Sequence, residues 1–344
     1  MKLYSKNIGI DLGTSNVLIY QEGKGIVLRE PAVVAMDRNT GRMLHVGAAA
    51  RNMLGRTPGH IIAVHPLTDG AIADYELTVQ MLSDMVKRVV KGAIIKPCVV
   101  ISIPSGVTEV EERAVIQAAM EAGARRVYLI EEVRAAALGA QINMDNPTGR
   151  MVVDIGGGTT DIGILTMNEV AYSTSLKVAG QAFDEAIIRY LRKNHGISIG
   201  QNTAEDIKLT IGCVMERPSR QTMIVTGRDF RTGLSTNIEL HSDHILEALR
   251  RPARQIVEKI AEVVDMVTPE LAADVARNGI VLTGGGAQIW GMDQLIAERM
   301  QTNCTLADEA DFCVAFGCGK SLQWVNHMSE GPINVSRRSK MRGY

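Results

Sequence analysis

Between Met151 and Asp161 the chain reads M-V-V-D-I-G-G-G-T-T-D, an apolar run that ends in a carboxylate, three glycines and two hydroxyl side chains. Glycines let backbone N–H groups come close to an anion, and the hydroxyls of Thr159 and Thr160 add donors. A turn through Gly156, Gly157 and Gly158 is therefore suited to wrapping phosphate oxygens. Asp154 cannot face phosphate directly. It needs a cation between, and Mg2+ held by one or two carboxylates, waters and phosphate oxygens is the usual arrangement. The residues after the glycines, Asp161-Ile-Gly-Ile-Leu165, predict a returning strand. A Walker-type loop or a dinucleotide-binding turn opens a helix instead, so the signature here is strand, turn, strand.

The same pattern occurs near the start of the chain. Ile8-Gly-Ile-Asp-Leu-Gly-Thr-Ser-Asn-Val-Leu-Ile-Tyr20 is again an apolar strand, an Asp, a glycine, hydroxyl residues and a returning strand. Laying Asp11 on Asp154 and Gly13 on Gly156 brings Val17 to Ile19 onto Ile162 to Leu165, which predicts a duplicated fold. Two such domains close on a nucleotide's phosphates from opposite sides, with Asp11 and Asp154 sharing the metal. A third cluster, Gly284-Gly285-Gly286, follows the strand Ile280 to Thr283 but has no acidic residue at the strand end. It is assigned to sugar and base. Gly317-Cys-Gly-Lys-Ser321 imitates the end of a P-loop, yet Val314 stands where that loop needs glycine, and the stretch reads as the end of a helix.

The 344 residues suffice for roughly two domains of ordinary size, each with its own core. A formal charge of -1 gives no global bias toward nucleic acid. Five cysteines, odd in number and unpatterned, suit buried thiols in a reducing compartment; Cys313 and Cys318 have no second Cys or His pair beside them, which argues against a metal site. No signal peptide and no apolar run of about 18 residues is visible, so the expected location is cytoplasmic.

Between the motifs the pattern alternates between strands and helices, an α/β arrangement. Helical spacing runs from Glu76 to Val90, Thr108 to Ala122, Arg134 to Ile142, from about Ala182, and from Ile245 to Val267, where Pro252 should kink or divide the helix. The strand Val127 to Ile130 delivers Glu131 and Glu132 to a helix start, where carboxylates are well placed for chemistry. Ile94 and Ile95 lie between Lys91 and Lys96 in a loop. From the residues alone, they either pack on their own domain or meet an apolar phase outside it.

In the order Asp11-Leu-Gly-Thr, Asp154-Ile-Gly-Gly-Gly-Thr-Thr and Leu282-Thr-Gly-Gly-Gly, the chain resembles the actin, Hsp70 and sugar-kinase superfamily of nucleotide clamps. Gly25-Ile-Val-Leu-Arg-Glu-Pro31, Gly55-Arg-Thr-Pro58, Asp69-Gly-Ala-Ile-Ala-Asp74 and Thr203-Ala-Glu-Asp-Ile-Lys208 are similar to MreB-type bacterial actins, the rod-shape-determining proteins, including the Mbl branch. The likeness runs from about Ile8 to Lys320. It implies an actin-like duplicated ATPase clamp of two domains, each a mixed sheet flanked by helices with a small inserted subdomain. Residues 1–146 would form the first, with its insertion at about 33–65 and the segment 320–344 returning to it. Residues 147–319 would form the second, with its insertion at about 183–244.

The implied function is an ATP- and Mg2+-binding, slowly hydrolysing subunit of paired filaments. These lie peripherally on the inner face of the cell membrane, guide lateral peptidoglycan synthesis with the cell-wall elongation machinery, and take no nucleic acid partner. The family's nucleotide contacts fall on Gly13, Thr14, Ser15 and Asn16; on Gly156 to Thr160; on Glu205, Asp206, Ile207 and Lys208; and on Gly284, Gly285, Gly286, Ala287 and Gln288. Its hydrolytic glutamate falls on Glu132, with Thr159 holding the attacking water or a phosphate oxygen. Its membrane loop falls on Ile94 and Ile95, while the basic tail with Arg337, Arg338, Lys340 and Arg342 either attracts anionic lipid or is a solubilising end.

The chain departs from the pattern at three positions. Val133 replaces the usual proline after the glutamate, so the preset φ is lost and slower hydrolysis is expected. Gln181 replaces an acidic helix cap near the nucleotide. Arg134 replaces an apolar residue, for which the sequence offers no reason. A small-molecule kinase and an enzyme-reactivating or chaperone-type ATPase on the same clamp are the competing readings. The first needs a substrate pocket with a base, of which there is no independent sign. A full Hsp70-type chaperone needs a peptide-binding domain after the clamp, whereas about two dozen residues follow Lys320.

Overall fold

Ile8–Leu12 and Arg150–Ile155 are apolar at nearly every position, and both are buried along almost their whole length, as central strands covered on two faces must be. The computed structural model describes residues 6–325 and a two-residue strand, Ile333–Asn334. The basic tail singled out above lies outside the described residues.

The first sheet has the order Ile333–Asn334, Arg126–Glu131, Cys98–Ile103, Ile8–Leu12, Asn16–Gln21, Gly25–Pro31. Its last three strands form an antiparallel meander, and Ile8–Leu12 runs parallel to Cys98–Ile103. The second sheet repeats this plan. Glu169–Leu176, Thr160–Thr166 and Arg150–Ile155 form the meander, followed in parallel by Ile280–Thr283 and Cys304–Leu306. Asp11 and Asp154 occupy corresponding strands, each facing the returning arm of its own hairpin, opposite Leu18 and Asp161 respectively. The duplication read from the motifs therefore holds for the topology, and the architecture is α/β with an actin-like fold. Small antiparallel sheets are attached to each half, one from Val34–Asp37, Met43–Val46 and Ile61–Val64, the other from Ile197–Ser198, Thr222–Asp229 and Ser235–His241.

Helix starts follow local chemistry. Thr108 and Glu111 form a reciprocal capping box at the head of Glu109–Glu121, and the Asp74 side chain accepts from Leu77 N at the head of Tyr75–Val90. The helix expected from Arg134 begins earlier, at Glu132, and ends at Gly139; the one expected near Ala182 begins at Gly180. Pro252 neither ends nor divides its helix, which runs unbroken over Ser242–Met266. The proline removes one backbone bond at a cost of about 3 kcal/mol. Ile245, Leu249, Ile256, Val257, Ile260 and Val263 are buried on the same helix, and at roughly 1.5–3 kcal/mol for each such side chain their burial outweighs that loss.

The two halves are joined through helices Glu132–Gly139 and Cys313–Val325, which cross without room for side chains. A Cβ on Gly139 would lie 1.8 Å from the Cys313 carbonyl oxygen, and one on Gly317 would lie 1.9 Å from that of Ala135. The P-loop imitation at Gly317 thus belongs to a close helix crossing. Arg134 finds its reason here too. Its guanidinium lies over the Trp324 ring, 5.8 Å from the centroid, and 3.8 Å from Glu169 of the second sheet, so it ties the joining layer to both. All five cysteines are buried and free. No helix among the described residues is long and apolar enough to cross a membrane.

Candidate functional site

The two hairpins meet tip to tip. Gly157 and Gly158 are required there by space: a Cβ on the first would lie 2.1 Å from Ser15 Oγ, and one on the second 2.6 Å from Thr14 Oγ1. The second turn is closed by Gly156 N donating to Thr159 O (2.9 Å), and it is fastened to the following helix by Gly180 N and Gln181 N, which donate to Gly156 O and Gly157 O at 3.1 and 2.8 Å. Gln181 thus holds the turn through its backbone, whatever its side chain lacks as a cap. Gly284, with φ +86°, brings the third cluster against Ile155, where a Cβ would stand 2.3 Å from the carbonyl oxygen.

These approaches enclose a cavity of about 720 Å³, within the range of small-molecule sites. Asp11 and Gly13 to Asn16 line it from one side, Asp154 and Gly156 to Thr159 from the other. Glu132, Glu205 and Lys208 also face it, as do Gly284, Gly285, Gly286 and Gln288. Four of the expected contacts do not. Thr160 turns its hydroxyl to donate to Val178 O at 2.7 Å, and Ile207 and Ala287 are core residues. Asp206 is exposed. On the helix Gln201–Ile211, positions 205 and 208 share a face and 206 and 207 turn away from it, a periodicity that the stretch taken as a block ignores. Ile94 is 89 % exposed, whereas Ile95 is partly buried, so the loop offers one isoleucine fully to its surroundings rather than two.

Four carboxylates gather at the floor. Burial, followed by the charge of Asp154, pushes the Asp11 carboxyl up to about 7; burial pushes Asp154 to about 7 against a hydrogen bond from Thr283. Thr283 Oγ1 donates to Asp154 Oδ1 at 2.6 Å and Ser102 Oγ to Asp11 Oδ1 at 3.4 Å. Two carboxylates that resist ionisation, Asp154 buried and Asp11 half-buried, each with one oxygen spent on a hydroxyl, suit a divalent cation. Among the described residues no three His, Cys, Asp or Glu side chains converge on one point, so the remaining ligands would be water and phosphate oxygens, as Mg2+ prefers.

Glu132, 7 % exposed, is raised well above the usual carboxylate range by burial, then by Asp161, Asp11 and Asp154, and it is hydrogen-bonded to Asp161. Asp161 is anchored by Ser105 N (2.7 Å) and Ser175 Oγ (3.2 Å). Its neighbour Glu131 points elsewhere and accepts from Ser173 Oγ at 3.2 Å.

Several residues in or just behind the lining escaped the sequence reading. Asp161 was visible in the motif but passed as the first residue of a strand. Arg217, stacked 5.1 Å over the Trp290 ring and donating to Gly212 O at 2.8 Å, forms with it the end of the cavity beside Gly286. Nothing in the spacing of 217 and 290 foretells their meeting. Lys208 Nζ donates to Gly180 O and to Asp184 Oδ2, both at 3.0 Å, and so spans two helices rather than reaching freely into the cavity.

Paired strand–turn–strand hairpins facing each other across a cleft between two like-built halves define an actin-like clamp. The family model for the MreB/Mbl protein matches residues 5–330, and the chain belongs to that family of cell shape-determining, cytoskeletal actin-like proteins. It is 45% identical over 95% of its length to the cell shape-determining protein Mbl of Bacillus cereus, covering 98% of that protein. The crystal structure of MreB 5 of Spiroplasma citri bound to AMPPNP is similar with a TM-score of 0.88 at 37% identity, covering 94% of this chain and 97% of that one. The same protein bound to ADP gives 0.90 at 38% identity, with 94% and 99% covered.

Proposed function

We propose that the cleft binds ATP with Mg2+ and hydrolyses it slowly, and that the chain assembles into filaments on the inner face of the cell membrane that guide lateral wall synthesis. The observation that carries the nucleotide reading is the contact of the two hairpin tips above a pair of carboxylates, Asp11 and Asp154, whose ionisation calls for a cation. Asp11 and Asp154 would hold Mg2+, which supplies positive charge between them and the phosphates. The N–H groups and hydroxyls of Gly13 to Ser15 and Gly156 to Thr159 would hold phosphate oxygens from opposite sides. The ribose and base would extend past Glu205 and Lys208 toward Gly284 to Gly286 and Arg217. Bound AMPPNP and ADP in MreB 5 support an adenine nucleotide here.

For hydrolysis, Glu132 orients a water in line with the γ-phosphate or takes its proton, Thr159 holds that water, and Asp161 fixes the Glu132 carboxyl. Self-association and the wall-elongation machinery as partner rest on membership of a cell shape-determining family. The membrane reading rests on Ile94, an exposed isoleucine in a loop. The test is phosphate release from ATP-loaded protein. Glu132→Ala should keep ATP and lose release, and Glu131→Ala should retain both. Turnover lost in the second variant and kept in the first would refute the assignment.

A further inference from the structure

Arg51 ends the short helix Ala48–Arg51, in the small sheet region of the first half, and its Nη2 lies 2.5 Å from Oε2 of Glu205 on the second half. Both residues line the cavity, and their side chains keep 34% and 29% of their exposure, so the pair sits at the mouth rather than in the core. Glu205 is one turn before Lys208, which grips Gly180 O, and Gly180 in turn holds the phosphate turn at Gly156. The helix that offers Glu205 is therefore fastened to the turn at one point and to the opposite half at another.

On the reading that the cleft binds a nucleoside triphosphate, we propose that Arg51 positions Glu205 for the ribose hydroxyls and retains the bound nucleotide. A guanidinium that engages one carboxylate oxygen fixes the plane of the group and leaves the other oxygen for hydroxyl donors. Since the two charges belong to different halves, the pair must part before the cleft opens wide enough for a nucleotide to leave. An ordinary surface ion pair adds little to stability. Here its effect falls on the opening rate.

The experiment follows release of radiolabelled ATP from the full chain with Mg2+, chased with excess unlabelled ATP below the assembly concentration, at low and at high salt. Arg51→Gln should release about two- to fivefold faster with an unchanged association rate, as for loss of a partly exposed ion pair. Arg51→Lys should fall between. Release from the parent should quicken in high salt, while that from Arg51→Gln should respond less. The preference for ATP over 2′-deoxyATP should shrink in Arg51→Gln. Equal release rates and equal salt responses in parent and Arg51→Gln overturn the proposal while leaving nucleotide binding intact. A parent chain that retains no ATP overturns the cleft reading and this one with it.

Discussion

Asp154→Asn separates what the carboxylate does for function from what it costs the fold. In the folded chain burial holds Asp154 at about 7 against an ordinary 3.8. Between those values the folded state binds a proton that the unfolded state has lost. Stability from this group is therefore greatest below about pH 4, declines as pH rises toward 7, and levels off above it. At about 1.36 kcal/mol per tenfold step, the raised pKa costs the fold at most about 4 kcal/mol at pH 8, where the buried group is ionised, and about 2 kcal/mol at pH 5, where it must take up a proton. Asparagine has nearly the same shape and keeps an oxygen to accept from Thr283 Oγ1, now 2.6 Å from Asp154 Oδ1, while removing the charge. Nucleotide-free Asp154→Asn in chelator should resist urea better than the parent at pH 8, with a smaller advantage at pH 5. Water entering the open cavity keeps the gain below its ceiling. Calorimetry on the same variant should show Mg2+-dependent ATP binding sharply weakened. A variant that unfolds before the parent at pH 8, or whose advantage does not shrink on acidification, would refute this account of the buried carboxylates.

Gly317→Ala places a methyl group 1.9 Å from the Ala135 carbonyl oxygen and forces the two joining helices apart. A loss of about 1–3 kcal/mol is expected by chemical denaturation, the usual range for overpacking, and unchanged stability would show that the crossing is not tight. Ile94→Ser exposes no core, because Ile94 is already 89 % exposed, and so should leave the melting temperature unaltered. Fully burying one such side chain gains roughly 1.5–3 kcal/mol, so liposome flotation with ATP should fall markedly through many subunits at once. Flotation equal to the parent would remove the loop as the anchor.

What the sequence disclosed and what it withheld divide along a physical line. The hairpins were legible because an Asp, a glycine turn and a returning strand are contiguous, and because using the pattern twice turned a weak local signal into a topology, the meander and parallel neighbour common to both sheets. Contacts between segments far apart in the chain were not. Arg51 with Glu205, Arg217 with Trp290, and Asp161 with Ser105 are separated by many residues, and no local spacing encodes them. That Pro252 does not divide its helix has a related reason: local propensity counts one lost backbone bond, while the buried face that outweighs it depends on what packs against the helix. The four glycines Gly139, Gly157, Gly158 and Gly317 join the two cases. Gly157 and Gly158 were read as phosphate donors and Gly317 as part of a decoy, while Gly139 drew no reading, yet each lies where two segments approach too closely for a Cβ. The proposed phosphate binding and the observed approach of the hairpin tips thus draw on the same steric allowance at Gly157 and Gly158. A side chain added there would hold the hairpin tips apart before it could disturb a phosphate.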